Sequence, residues 1–456
     1  MVHSVNRRNL LKWSSAMGGV AVLPLASGIS AESDSAKEAG RLGGIFAVAD
    51  NVTPMNAANL TPLLLPVAEK VTEYAQQLNS DVSFINRRNI VTKKVDEARE
   101  KVAAMLGIDD SEDLAFVRNT SEANSVINNG LVLGQGDEVL LWNQNHPTNF
   151  HSWSYRQKRH GFTLREVLLP AEITSSQQII DAFVSRLTPK TRVVTFTELS
   201  NISGLRIPAK ALCSAIHAYN PDIFVHVDGA QSWGCLDVNL SDMGCDSFSS
   251  SGHKWFMGPR GTGILYVNKK WASRIWPNTL GYDFLMEYPL EELPETAKRF
   301  ECIGQRDVAP YAAIGDCVDL YNQLGGSQKI EQRIQSLTQY AIQALDEVGV
   351  SVKTPTATEN GRSLGHGVVI ADLQSSLSVY GAFLALHNEG IASAFVSGVQ
   401  VCCDPQSQVP SEDLPTYLRL SPHIYNSESD IDRAVATIKR IQTSKFEIVK
   451  EVVRFL

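Results

Sequence analysis

Two short stretches carry the side chains with the clearest chemical use. The apolar run Phe224-Val225-His226-Val227 ends in Asp228-Gly229-Ala230-Gln231, which sets a carboxylate at the mouth of a buried strand. Further on, Ser250-Ser251-Gly252-His253-Lys254-Trp255 again follows a strand-like run and leads into the glycine-rich Gly258-Pro259-Arg260-Gly261-Thr262-Gly263. A carboxylate at such a strand end can pair with a pyridine nitrogen and keep it protonated, and a pyridinium ring is an electron sink for a substrate carbon. A lysine beside it can form a Schiff base with a carbonyl, while Ser251 and His253 can donate hydrogen bonds to a phosphate. Each piece alone is weak, since a strand-end Asp is often a helix N-cap and a single Lys a solvated charge. Together they describe a site for pyridoxal-5′-phosphate (PLP), with Lys254 as its attachment and Asp228 as the partner of its ring.

These groups need a frame that delivers them to one place. Strand-length runs at 114–118, 138–142, 192–197, 223–227, 247–250 and 263–267 alternate with helix-length segments, one of them the charged and apolar alternation over 87–106. Strands alternating with helices predict an α/β domain with a mainly parallel sheet covered on both faces. Ligands of such sheets gather beyond the carboxyl ends of the strands, where Asp228 and Lys254 fall. After about residue 320 the pattern changes to a long amphipathic helix (328–348), a few strands and a closing helix (428–441), a smaller α+β C-terminal domain.

Asp228-Gly-Ala-Gln231 followed by Ser251-Gly-His-Lys254 resembles the class V aminotransferase family of fold type I PLP enzymes, which contains cysteine desulfurases, selenocysteine lyases and isopenicillin N epimerases. The resemblance runs from about Gly43 to Ile441 and implies roles for further residues. Arg118-Asn119-Thr120-Ser121-Glu122-Ala123-Asn124 matches the phosphate loop, with Thr120 and Ser121 at a helix N-terminus, where free N–H groups and the helix dipole favour an anion. His146 matches the imidazole stacked on the pyridine ring, which with Lys254 and Asp228 completes the catalytic set. Asn201 matches the contact to the phenolic oxygen, with Gln231 on the same side. Arg419 matches the guanidinium that clamps the substrate α-carboxylate, a task for a planar fork. Asn59 matches a segment lying over the substrate. The stretch Phe300-Glu301-Cys302-Ile303-Gly304-Gln305-Arg306-Asp307 looks like the segment that reaches a neighbour's phosphate site in a homodimer with shared active sites. Gln305 stands where the family has Thr, and its amide can still donate to phosphate.

Groups outside this shell decide which substrate bond reacts. A cysteine desulfurase needs a nucleophilic thiol before the carboxylate-binding Arg, and the doublet Cys402-Cys403 lies near that distance from Arg419, but without the family's His-rich lead-in. Ser421-Pro-His-Ile-Tyr-Asn426 and Gly304-Gln-Arg-Asp307 are more similar to the isopenicillin N epimerase branch. The leading expectation is an epimerase-like or aminotransferase-like enzyme acting at the Cα-amino centre of an amino acid or an amino-acid-containing metabolite. The alternatives are a cysteine desulfurase or C–S lyase using Cys402 or Cys403, and a PLP-binding protein without turnover.

The 456 residues, 43% of them hydrophobic, suffice for two domains, and the net charge of -8 leaves no basic surplus for a nucleic acid. Asn6-Arg7-Arg8-Asn9-Leu10-Leu11-Lys12, then an uncharged stretch to Ile29, resembles a twin-arginine (Tat) signal. The organisation expected is a signal over 1–31, a linker over 32–42, an N-terminal arm and large PLP-binding domain over 43–315 and a small domain over 316–456. Tat carries folded proteins, so the enzyme would load PLP before export and work as a soluble periplasmic protein, with no membrane span in the mature form. Seven scattered cysteines, none in a Cys-x-x-Cys pair, point to no disulfide framework and no metal site.

Overall fold

The computed structural model describes residues 44–170, 172–281, 294–301, 303–397 and 416–443. Seven strands form the main sheet: β1 (Leu114–Val117), β2 (Glu138–Trp142), β3 (Thr163–Val167), β4 (Thr191–Thr197), β5 (Phe224–Asp228), β6 (Ser247–Ser251) and β7 (Gly263–Val267). Their order is β1-β7-β6-β5-β4-β2-β3. Only β7 runs against the rest, pairing antiparallel with both β1 and β6. The sheet is therefore mainly parallel, in the architecture of a fold type I α/β enzyme. All residues of β1, β5, β6 and β7 are buried, which is why they read as continuous apolar or small-residue runs instead of alternating ones.

Helices connect the strands and cover the sheet. They include α1 (Leu65–Ser80), α2 (Val95–Met105), α3 (Thr120–Gly130), α4 (Pro147–His160), α5 (Ser176–Val184) and α6 (Ala209–Tyr219). The helical stretch expected over 87–106 has a π turn at Asn89–Lys94 ahead of α2, which the alternation of residues does not reveal. The edge strand β3 was not among the expected runs either. Its Thr-Leu-Arg-Glu-Val is half-exposed, and Arg165 pairs with Glu138 of β2 at 3.2 Å, so polar residues occupy a place where only one face is covered.

Two long helices, α7 (Ala309–Gln323) and α8 (Gly326–Glu347), lead into a second sheet; the expected boundary at 315/316 falls inside α7. That sheet comprises β8 (Ser351–Val352), β9 (Val369–Asp372), β10 (Ala394–Ser397) and β11 (Thr416–Leu420), in the order β10-β11-β9-β8 with every pairing antiparallel. Helices α9 (Ser376–Asn388) and α10 (Glu428–Gln442) pack on it. Ser427 and Asp430 start α10 with a reciprocal capping box. The second sheet has its own core of Val369, Ala371, Leu418 and Leu420 against Leu337, Ala341, Ile431 and Ile438. No helix among the described residues is long and apolar enough to cross a membrane.

Candidate active site

Asp228 is the last residue of β5 and Ser251 the last of β6, and these strands are hydrogen-bonded neighbours. Strand direction therefore brings the two stretches to one edge of the sheet. Between Ser251 and Lys254 the chain must turn tightly. A side chain at Gly252 would come within 2.5 Å of Thr262 Oγ1, so the position needs glycine. The turn closes with Met257 N–H on the Lys254 carbonyl at 2.9 Å, and Met257 itself holds a left-handed φ of 57°, a conformation rare for a side-chain-bearing residue. Thr61 fastens the same turn from the N-terminal arm, its Oγ1 donating to the Lys254 carbonyl at 2.6 Å and its N–H to that of His253 at 3.0 Å.

Lys254 is half-buried, and among the described residues no side chain hydrogen-bonds its Nζ. Burial pushes its ammonium down to about 8, Asp228 pulls it back up, and Arg419 pushes it further down. His146, the N-cap of α4 after β2, is held below its usual range by burial; Asp228 opposes this, whereas Lys254 and Arg419 add to it. Lys254 and His146 thus both sense the charges of Asp228 and Arg419. The His146 Nδ1 lies 2.8 Å from Thr148 Oγ1 and 3.3 Å from the Thr148 nitrogen, so Thr148 fixes the ring's orientation.

Asp228 uses one oxygen to accept from Ala230 N–H and the other from Asn124 Nδ2, each at 3.0 Å. At the start of α3 the Thr120 N–H donates to Ser251 Oγ at 2.8 Å, and the two hydroxyls meet at 2.6 Å. His253 next to them is kept neutral by burial, with Lys254 and Arg260 adding to the effect and its value pushed down to about 4. Its single ring N–H remains a donor. Ser121 is exposed, in a cleft lined by Arg118, Asn119, Glu122, Asn278 and Phe300.

Arg419 lies on β11, buried, and burial lowers its guanidinium to about 10. Nη1 donates to the Asn201 carbonyl at 3.3 Å and Nη2 to Asn56 Oδ1 at 3.2 Å, while Nε is buried with no hydrogen-bond partner among the described residues. A buried guanidinium contacted, among those residues, only by neutral acceptors is a ready site for an anion. Asn56 is thus the arm residue on Arg419, whereas Asn59 is exposed, three residues on in the same turn. Sequence pointed to Asn59 and missed Asn56, because neighbouring amides in one turn carry no local signal of which one meets Arg419. Gln231 has both ends of its amide engaged, Nε2 with the Ala58 carbonyl at 3.0 Å and Oε1 with Trp255 Nε1 at 2.7 Å. Asn201 follows β4 in a loop held by Gln144, whose Oε1 accepts from Ser200 at 2.7 Å and Ser203 at 2.5 Å.

Gln305 is exposed. Its segment is anchored by Glu301, which pairs with Arg99 at 2.6 Å and Arg306 at 2.7 Å and accepts from the Phe116 N–H at 3.1 Å. Cys302, Cys402, Cys403 and the Arg7-Arg8 pair lie outside the described residues. Cys213, Cys235, Cys245 and Cys317 are buried, and burial raises all four thiols well above their usual value.

Residues 55–434 match the aminotransferase class-V family. The chain belongs to that family of PLP-dependent enzymes. It is 26% identical over 401 residues to the isopenicillin N epimerase of Amycolatopsis lactamdurans, covering 86% of this chain and 95% of the relative. With the cysteine desulfurase of Pectobacterium atrosepticum it shares 29% identity over 357 residues, 77% of this chain and 83% of the other. In fold it is similar to the apo cysteine desulfurase of Thermococcus onnurineus NA1, with a TM-score of 0.75 at 21% identity over 92% of this chain and all of that one. The donor set fits the family's cofactor: an acceptor pair at Asp228, an amine at Lys254, hydroxyl donors at Thr120 and Ser251, and an orphaned guanidinium nitrogen at Arg419.

Proposed function

We propose that this class V enzyme binds PLP on Lys254, Asp228 and His146 and acts at the Cα-amino centre of an amino acid or an amino-acid-containing metabolite, in an epimerase-like or aminotransferase-like reaction. One observation carries the reading: Lys254 and His146, from separate stretches of chain, both sense the charges of Asp228 and Arg419, so these four side chains lie within electrostatic reach of one site. When bound, PLP supplies electron withdrawal that loosens the bonds to the substrate Cα. Asp228 would hold the ring nitrogen's proton, and His146 would stack on the ring. Thr120, Ser251 and His253 would donate to the phosphate, with Ser121 and the neighbour's Gln305 as further donors. Asn201 and Gln231 would serve the phenolic oxygen. Arg419, oriented by Asn56 and the Asn201 carbonyl, takes the substrate carboxylate, and Asn59 lies over it. The lowered affinity of Lys254 for its proton suits an amine that both carries the cofactor and moves a proton at Cα.

The anchored but exposed Gln305 supports a homodimer with shared sites, and Arg7-Arg8 supports export by the Tat machinery to the periplasm. A panel of amino acids is the test. Exchange of the Cα hydrogen with solvent deuterium, inversion, or amino transfer to an oxo acid supports this reading; borohydride followed by digestion should leave a pyridoxyl label on Lys254, and a label on any other lysine overturns that assignment.

The relatives named cysteine desulfurase favour a second reading, a C–S lyase or desulfurase. The four described thiols are buried and strongly protonated; of the other three cysteines, Cys402 and Cys403 are the ones whose spacing before Arg419 suits this chemistry. Sulfide release from cysteine that is lost in the Cys402→Ala, Cys403→Ala double variant would replace the first reading with the second.

A further inference from the structure

Asp228 does not stand alone behind the proposed cofactor. His226 lies two residues earlier on β5, hence on the same face of the strand, and is fully buried. Its Nδ1 meets Ser247 Oγ at 2.6 Å and its Nε2 meets Asn124 Oδ1 at 2.9 Å. Asn124 Oδ1 also accepts from Ser249 Oγ at 2.6 Å, and its Nδ2 donates to Asp228 Oδ2 at 3.0 Å. Reversing the Asn124 amide would set its oxygen against the Asp228 carboxylate, acceptor against acceptor, so the orientation is determined by the neighbours. With Oδ1 facing His226, the imidazole must carry its proton on Nε2, and Nδ1 then accepts from the Ser247 hydroxyl. Burial, partly opposed by Asp228, lowers His226 to about 4, so the ring is neutral at ordinary pH.

The result is a chain of hydrogen bonds in one direction, Ser247 to His226 to Asn124 to Asp228, each donor polarised by the one behind it in a buried, low-dielectric setting. Asn124 also lies one helical turn after Thr120 on α3. One helix face therefore reaches both the phosphate-side pair Thr120–Ser251 and the carboxylate.

We propose that Asn124, backed by His226 and Ser247, is the positioning residue for Asp228, and that through it α3 sets how tightly the protein holds PLP. The inference rests on the PLP reading above. The titratable groups that sense Asp228 are His226 behind it and His146 and Lys254 across the site; all are retained in the variants used as tests.

Asn124→Asp preserves size and the acceptor toward His226 but removes the donor. Titrated with PLP at pH 8, the cofactor-free variant should bind about ten- to a hundredfold more weakly than the wild type, the range for losing a hydrogen bond to a charged group. Binding should recover as the pH falls toward 5, when the introduced carboxyl takes up a proton and becomes a donor again. Asn124→Leu should lose affinity at every pH. Ser247→Ala, a mild change at the far end, should weaken binding in the same direction by about threefold. In the cofactor-free wild type the nitrogen shifts of His226 should report a neutral ring protonated on Nε2 from pH 6 to 8. Wild-type affinity in Asn124→Asp at pH 8, a loss that does not change with pH, or a proton on Nδ1 of His226 would each overturn the proposal. A wild-type protein that takes up no PLP would overturn the proposed function itself, an outcome distinct from these.

Discussion

The amine of Lys254 offers a quantitative test, because its value near 8 lies well below the ordinary 10.5. That gap corresponds to about 3 kcal/mol of preference for the neutral form. At pH 7.5 about a quarter of the Lys254 side chains would be uncharged, against about one in a thousand for an unperturbed lysine, a difference of about two hundredfold in reactive amine. Burial is the main cause, so the effect belongs to the folded protein and vanishes in urea. The neighbours act with opposite signs. Asp228→Asn removes the charge that stabilises the ammonium and should move the midpoint below 8, whereas Arg419→Leu removes a repelling cation and should move it above 8. The assay is acetylation of the cofactor-free protein by acetic anhydride across pH 6 to 10, followed at the Lys254 peptide by mass spectrometry, with a free lysine amide as the internal reference. The rate should climb and level off with a midpoint near 8. A rate that is still rising tenfold per pH unit at pH 10, as for the reference, would refute the electrostatic account, and so would midpoints that move the same way in both variants.

Glu301→Gln should destabilise the fold by about 3 kcal/mol, read as a lower urea midpoint, because it takes the nearer carboxylate from the buried Arg99 guanidinium and leaves it the half-exposed Asp96 at 3.3 Å. Burial alone would push the Glu301 carboxyl up, but Arg99 and Arg306 outweigh it and hold it at about 2; with its folded value below the ordinary 4.5, its stabilisation is present above pH 4.5 and is lost as the pH falls through 2. The gap between wild type and variant should therefore close in acid. Asp228→Asn should still take up PLP but lose several kcal/mol of transition-state stabilisation, seen as a fall in kcat of more than about a hundredfold. Asn56→Ala should raise KM for the amino-acid substrate about fivefold with kcat little changed, since it removes one hydrogen bond that orients Arg419.

Much of this site was legible in the sequence because its two principal stretches end adjacent parallel strands. An apolar run stopping at Asp228 and a small-residue run stopping at Ser251 announce both a buried strand and its mouth, and local burial and turn geometry are properties of neighbouring residues. The polar edge strand β3 was not legible, since a strand paired on one side and open on the other needs no apolar pattern. Nor was the π turn ahead of α2, because an added residue in one turn leaves the surrounding helical alternation nearly intact.

The partners of the site residues were decided only by tertiary structure. Asn56 and Arg419 meet across 363 positions of chain, and Asn124 meets Asp228 across 104. Sequence singled out Asn59, assigned Asn56 no role, and placed Asn124 only within a loop. Which amide reaches a guanidinium or a carboxylate depends on how α3 lies over β5 and how the arm crosses β11, and those distances follow from the packing of whole layers. The sequence by itself therefore determined the chemistry on offer at Asp228 and Lys254, through residue type and local pattern. Only the closed fold decided what orients that chemistry, because a buried polar group must take the hydrogen-bond partner that long-range packing puts within its reach.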